Sequence, residues 1–363
     1  MKQGPFLQPV QGMALGTLLR VLNRNGFRVD TRCLPRLGYL VVVGTLNSAY
    51  GFCETMLNGR AIEAAKIEHP PLFIIGHWRS GTTHLHNLLS FDENLSFPTA
   101  YQALFPGHFI FSGLGGTIFN HLAPKSRPMD NVPFSAGVPH EDEFALAAHC
   151  AVSPYVRILF PVTGDNGCAE LDPKRLPREA LQQWKDSLIH FLKKVTLCYG
   201  GRVVLKSPPH LGRVSTLLEL FPGAQFIHIV RDPYMVYLST RKLWRDYLSY
   251  GHLQIPDPHE ADELILSWYS QLFSLFHRDK HLLGPGVLHE MKYEDLEKDP
   301  LASLEDLYGE LRLPGFDRFR KRVAPYIGSI KGYQKNTYHL DDETREKVRR
   351  RWYDTFERYG YPV

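Results

Sequence analysis

Three times along this chain a short apolar run is closed by a polar loop and followed at once by a helical pattern. Leu72-Phe73-Ile74-Ile75 leads through Gly76 into a helix over 82–89. Residues 202–205 lead through Lys206-Ser207-Pro208-Pro209 into a helix ending near Leu220. Residues 225–230 lead through Arg231-Asp232-Pro233 into a helix over 234–247. Residues 287–291 read as a fourth strand before a helix around 301–311. Runs this short and this continuously apolar are strands buried on both faces. Alternation with helices then demands an α/β fold with a parallel sheet, because each helix serves as the crossover between strands. Right-handed crossovers set the loops after the strands along one edge, where ligands of such sheets bind. Segments 76–83, 206–210 and 231–232 are therefore expected to converge.

The chain has 363 residues, enough for one large domain or two ordinary ones. The reading is one α/β domain over 71–363 behind a helical N-terminal extension over 1–70. Residues 91–200 form an acceptor-side insertion in it. A hydrophobic content of 44% with 22% charged residues is ordinary for a globular chain. The net charge of +4 is too small to indicate nucleic acid and suits an anionic small molecule. Cys33, Cys53, Cys150, Cys168 and Cys198 contain no C-x-x-C pair. That pattern speaks against a zinc site or a disulfide framework and fits a reducing cytoplasm. Residues 1–10 lack an apolar core behind a basic start, so no secretory signal is read there. The apolar stretch 37–53 is broken by Gly38, Gly44, Asn47, Ser48 and Gly51. A bilayer span needs about 20 mostly apolar residues. The stretch reads instead as a buried or membrane-surface helix. Arg20, Arg24, Arg28, Arg32 and Arg36 just upstream keep a peripheral membrane contact open.

The loop Gly76-His77-Trp78-Arg79-Ser80-Gly81-Thr82-Thr83 lies between strand and helix. Its two glycines let backbone N–H groups turn toward an anion, and the helix N-terminus adds its positive end. The hydroxyls of Ser80, Thr82 and Thr83 can donate as well. The glycine spacing is that of G-x-x-x-x-G-K-[ST], but Thr82 stands where the lysine belongs. The cation has moved to Arg79, inside the loop. The third strand ends in Arg231, not in an aspartate placed to hold magnesium. A magnesium–nucleoside triphosphate needs both missing features, which disfavours a P-loop kinase using Mg-ATP. A second alternative is a non-catalytic nucleotide-binding or membrane-surface protein, in which Lys206 and the acids would be idle.

GHWRSGTTHLHNLL resembles the 5′-phosphosulfate loop of sulfotransferases that use 3′-phosphoadenosine-5′-phosphosulfate (PAPS), in the version with arginine before S-G-T-T. The small-molecule branch has lysine at the place of Arg79. FIHIVRDPYMVYLSTRKLW resembles the family's 3′-phosphate segment, with Arg231 ending the strand and Ser239 eight residues on. An arginine fork suits a phosphate, and a serine in the next helix adds a donor. HEMKYEDLEKDP is similar to a segment whose tyrosine, here Tyr293, lies near the adenine. Ile330-Lys331-Gly332-Tyr333-Gln334-Lys335-Asn336 is similar to the loop that closes over the 3′-phosphate, which implicates Lys331 and Gly332. These matches cover 71–89, 202–247 and pieces up to Asn336; 1–70 and 91–200 have none. The resemblance implies a three-layer P-loop-like fold, a central parallel sheet flanked by helices. It also implies PAPS as co-substrate, 3′-phosphoadenosine-5′-phosphate (PAP) as product, no metal, and transfer of a sulfuryl group to a hydroxyl.

Sulfuryl transfer shares the loose, in-line character of phosphoryl transfer. Arg79 is assigned to the bridging and leaving oxygens. Lys206 matches the family lysine that stabilises the transferring group. In the small-molecule branch a histidine follows two residues later; here that place is Pro208, and His210 is displaced by two. Other branches use a glutamate after the first helix, where this chain has SFPTAYQALF. The base candidates are Glu141, in Pro139-His140-Glu141-Asp142-Glu143-Phe144, and His210. Acids at a helix start also suit the helix dipole alone. The acceptor class stays open among a lipid alcohol, a glycan, a phenol and a peptide tyrosine.

Overall fold

The computed structural model describes residues 10–113, 115–126, 132–161, 168–255, 258–330 and 338–363. In chain order the first elements are α1 (Leu15–Arg24), α2 (Leu34–Ala64), β1 (Leu72–Ile75), α3 (Thr82–Leu89), β2 (Leu95–Ser96), α4 (Ala100–Leu104), α5 (Gly115–Leu122), α6 (Asp142–His149) and α7 (Arg178–Tyr199). There follow β3 (Arg202–Lys206), α8 (Val214–Leu220), β4 (Gln225–Val230), α9 (Pro233–Gly251), α10 (Pro258–Asp279), β5 (Leu288–Lys292), α11 (Tyr293–Lys298), α12 (Pro300–Leu311), α13 (Phe316–Ser329) and α14 (Asp342–Tyr359). The chain forms two compact units. One holds Met1–Ile67, Pro98–Gly200 and Leu243–Ala261; the other holds Glu68–Phe97, Gly201–Lys242 and Asp262–Val363.

The second unit is built on a parallel sheet in the order β2-β3-β1-β4-β5. Every residue of β1 is buried, as a central strand covered on both faces requires. Ile74 sits opposite Lys206 on one side and Ile227 on the other. The chain leaves β1 toward β3 and leaves β4 toward β5. The order therefore reverses between β1 and β4, which opens the crevice where such sheets take ligands. One face of the sheet carries Leu72, Ile74, Val204, Ile227 and Ile229, packed on Leu85, Leu88 and Leu89 of α3 and on Leu304, Leu307 and Leu311 of α12. Burying aliphatic side chains of this size contributes about 1.5–3 kcal/mol each. Two local departures from the sequence reading have simple causes. The edge strand β2 has two residues, too few for any periodic signal. The helix expected after Lys206 is divided into a 3-10 turn at Pro208–Gly212 and α8 from Val214. The adjacent Pro208 and Pro209 lack N–H donors and restrict the residue before each.

The other unit is helical. There α1 packs on α2, α2 on α7, and α6 on both α4 and α7. Leu18, Val21 and Leu22 of α1 are buried at the 3–4 spacing of a helix with one apolar face. At Gly44 a side chain would begin 3.3 Å from the backbone of Leu15, so glycine lets α1 and α2 approach. Most of the segments that the sequence reading treats as an extension, 1–70, and an insertion, 91–200, lie in this one unit, as Met1–Ile67 and Pro98–Gly200. The segment Thr31–Ala64 is long enough and apolar enough to cross a membrane by length and composition, and 22% of an apolar 18-residue stretch within it is buried in the protein.

Candidate active site

The loop after β1 is held by its own short bonds. Ser80 donates from both its backbone N and its hydroxyl to the carbonyl of His77, at 3.2 and 2.8 Å. Its hydroxyl proton is thereby engaged inside the turn. His77 is buried beside Tyr269, and burial lowers its pKa to about 3, so the ring is neutral at pH 7. Its Nδ1 lies 3.0 Å from the carbonyl of Trp78, which assigns the proton to that nitrogen. Arg79 has a φ of 69°, a left-handed conformation that L side chains adopt at a cost of about 1–2 kcal/mol. Strain of this kind persists only where neighbours fix it. Here Arg231 donates from a guanidinium nitrogen to the Arg79 carbonyl at 3.1 Å.

Gly81 caps α3 with a φ of 101°. A Cβ there would lie 2.3 Å from Cδ2 of Tyr293, so the Tyr293 ring approaches the loop this closely only because position 81 has no side chain. Thr82 is buried in the first turn of α3, and Thr83 accepts from Lys206 Nζ at 3.3 Å. Lys206 ends β3, the strand beside β1, so its buried stem carries the ammonium to the same edge as the loop.

The segment after β4 meets this loop. Arg79 Nε donates to Ser239 Oγ at 2.8 Å, joining residues 160 positions apart. Ser239, on α9 and buried, also accepts from the Tyr338 hydroxyl at 3.2 Å. Two accepted bonds occupy its lone pairs and leave its own O–H to donate. The Arg231 guanidinium lies 4.4 Å from the centre of the Tyr293 ring, a cation–π contact. Asp232 accepts from the backbone N of Tyr234 at 2.8 Å, which starts α9. Burial raises the Asp232 pKa. Glu294 accepts from the Asp232 backbone N at 3.1 Å and from the Tyr361 hydroxyl at 2.8 Å, tying α11 and the C-terminus to the same corner.

The structure thus gathers Arg79, Ser80, Gly81, Thr82, Thr83, Lys206, Arg231, Ser239 and Tyr293 at the carboxyl ends of β1, β3, β4 and β5. Lys331 and Gly332 lie outside the described residues. His210 is wholly buried in the 3-10 turn after β3, its ring edge-on to Phe73 at 5.5 Å. Glu141 belongs to the helical unit, where it is the N-cap residue of α6 and accepts from the Tyr155 hydroxyl. Asp142 and Glu143 in the first turn of that helix are wholly buried. Sequence reasoning missed Tyr338 and Glu294 as parts of this corner. Neither stands in a phosphate-loop pattern, and each is brought in by tertiary packing. Among the described residues no group of three or more histidine, cysteine, aspartate or glutamate side chains is arranged to hold a metal ion.

The profile of the sulfotransferase family matches residues 70–318 of this chain. The chain is 35% identical over 350 residues to the omega-hydroxy-beta-dihydromenaquinone-9 sulfotransferase Stf3 of Mycobacterium bovis, covering 96% of this chain and 90% of that protein. It matches the Stf3 protein of Mycobacterium tuberculosis to the same extent. Among solved structures, sulfotransferase STF1 of Mycobacterium tuberculosis superposes with a TM-score of 0.66 at 18% identity, covering 93% of this chain and 90% of that one. Sulfotransferase STF9 of Mycobacterium avium gives 0.64 at 17% identity, covering 97% and 98%. These two structures share the fold described above.

Proposed function

The chain belongs to the sulfotransferase family, and from that premise we propose that its acceptor is the hydroxyl of a menaquinone-type lipid and that the corner at the sheet edge binds PAPS. The enzyme moves a sulfuryl group to a hydroxyl, and the family implies PAPS as co-substrate. The observation that carries the site assignment is the bond from Arg79 to Ser239. It joins the loop expected at the 5′-phosphosulfate to the segment expected at the 3′-phosphate, so one bound nucleotide can span both. The lipid acceptor follows the activity for which the Stf3 relatives are named.

In this reading Arg231 and Ser239 hold the 3′-phosphate, and Lys331 and Gly332 close over it. Tyr293 packs beside the adenine. Backbone N–H groups of 81–83 and the Thr82 and Thr83 hydroxyls hold the 5′-phosphosulfate at the start of α3, on a turn that Ser80 closes. Arg79 stabilises the charge that gathers on the leaving phosphate, and Lys206 neutralises the sulfuryl oxygens in flight. No metal takes part. A base removes the acceptor proton. Glu141 is our assignment, with His210 second, because the His210 ring is wholly buried against Phe73. A cytoplasmic enzyme in peripheral contact with a membrane, through its N-terminal segment, belongs to the same reading, since a menaquinone-type acceptor partitions into lipid.

Calorimetric titration tests the donor. PAP is expected to bind without metal, and Mg-ATP at least about tenfold more weakly, a difference of about 1.4 kcal/mol. A preference for Mg-ATP would return the P-loop kinase reading to first place. The base is tested separately by Glu141→Gln, expected to lower the turnover number about 10²-fold while PAP affinity holds. Turnover close to the parent's, in a folded variant, transfers the role to His210.

A further inference from the structure

Helix α2 exposes its largest apolar side chains and buries two polar ones. At 100° per residue Val42, Leu46, Phe52, Met56 and Leu57 fall on one broad side, and that side points away from the protein. Their exposures run from 51% at Leu46 to 71% at Leu57. The inward side buries Asn47 and Glu54 alongside Leu40, Gly44 and Ile62. Asn47 donates to the carbonyls of Gln11 and Met13 at 2.8 and 3.1 Å, and its amide oxygen meets His108 Nε2 at 3.1 Å. Glu54 accepts from the backbone N of Ile110 and Phe111 at 2.8 and 3.0 Å and pairs with buried Lys194. A helix on a water-facing surface has the opposite arrangement. A contiguous apolar strip of this length marks a surface that meets something other than water.

We propose that the outward side of α2 rests on the surface of a lipid bilayer, with the arginines before it at the lipid headgroups. The inference rests on the lipid-acceptor reading, which gives the enzyme its reason to dwell on a membrane. Charge selects the occupant. Residues 10–36 carry Arg20, Arg24, Arg28, Arg32 and Arg36 against the single acid Asp30. Two copies of so basic a segment repel, whereas an anionic lipid surface attracts exposed arginines such as Arg24 and Arg28 by about 1 kcal/mol each. The inward polar side selects the mode. To span the bilayer, α2 would have to leave α1 and α7, carrying Glu54 into hydrocarbon and leaving Lys194 buried without its partner. The helix therefore lies along the surface, apolar side down, still bonded to its own unit.

The test uses the full chain and sedimentation with vesicles of phosphatidylcholine containing about 30% phosphatidylglycerol. The chain is expected to sediment with them, less so as salt is raised, and to be released by alkaline carbonate. Leu46→Glu combined with Met56→Glu should weaken vesicle binding by about tenfold or more. Thermal unfolding and PAP affinity should stay at the parent's values. Because that double variant stands or falls on folding, Phe52→Trp supplies an independent reading. Its added fluorescence should move to shorter wavelength on vesicles and be quenched by brominated lipid. No binding to these vesicles, or an unshifted signal from the introduced indole, overturns the proposal. Retention after carbonate replaces it with a spanning helix. A dimer in light scattering that the double substitution dissociates, without vesicle binding, assigns the face to a second copy. None of these readouts involves turnover, and PAP affinity serves only to confirm that the variants are intact. Failure here and failure of the sulfotransferase site are therefore told apart.

Discussion

Arg79→Ala is expected to lower the turnover number by roughly three orders of magnitude or more at saturating donor and acceptor. The side chain is half-buried in the loop after β1, and its Nε bond to Ser239 fixes where the guanidinium points. Such a group acts on charge that grows during transfer, so its loss falls on turnover more than on donor affinity. Stability should change little, because arginine and alanine are both strained at a φ of 69° and the apolar core is not involved. Arg79→Lys should fall between parent and alanine, since lysine keeps the charge but not the planar fork. The readout is turnover and PAP affinity measured on the same preparations. Turnover within a few fold of the parent would remove Arg79 from the chemistry. Equal losses in turnover and PAP affinity would make it a binding residue instead.

The part of the molecule that the sequence announced is the part held together locally. The strand at Leu72–Ile75, the glycine-bounded loop and the helix at Thr82–Leu89 need only neighbours in the chain, and they appear where the apolar run and the helical period put them. The meeting of Arg79 with Arg231 and Ser239 was legible one level up, because parallel crossovers bring strand ends to one edge. What stayed hidden depends on distant packing. Glu294 sits at the corner because β5 pairs with β4, and Tyr338 through a hydroxyl bond to Ser239, 99 positions away in the chain. The grouping of 1–67 with 98–200 follows from buried partners such as Glu54 and Lys194, which no local pattern links. The same cause reversed the meaning of Asn47. In the sequence it interrupts an apolar stretch; in the structure it is the inward anchor of α2, and the apolar residues around it face out.

Arg231→Ala should weaken PAP binding by about 2–5 kcal/mol, on the order of 30-fold to several thousandfold. The guanidinium does two things in this structure. It lies over the Tyr293 ring, and it holds the Arg79 carbonyl. In the proposed donor site the first sets a cation at the 3′-phosphate beside the adenine; the second braces a strained loop. These roles separate by ligand. If the phosphate contact dominates, PAP affinity falls steeply while adenosine 5′-monophosphate, which lacks the 3′-phosphate, binds the variant about as it binds the parent. If bracing dominates, both ligands weaken together, and Arg79-dependent turnover falls with them even at saturating PAPS. PAP affinity within about threefold of the parent, or about 0.7 kcal/mol, would leave Arg231 neither role and would detach the segment after β4 from the donor site. The first outcome is expected. A carbonyl brace uses one of the five guanidinium N–H groups, and the rest of the half-buried fork keeps the geometry to donate to an anion at this edge.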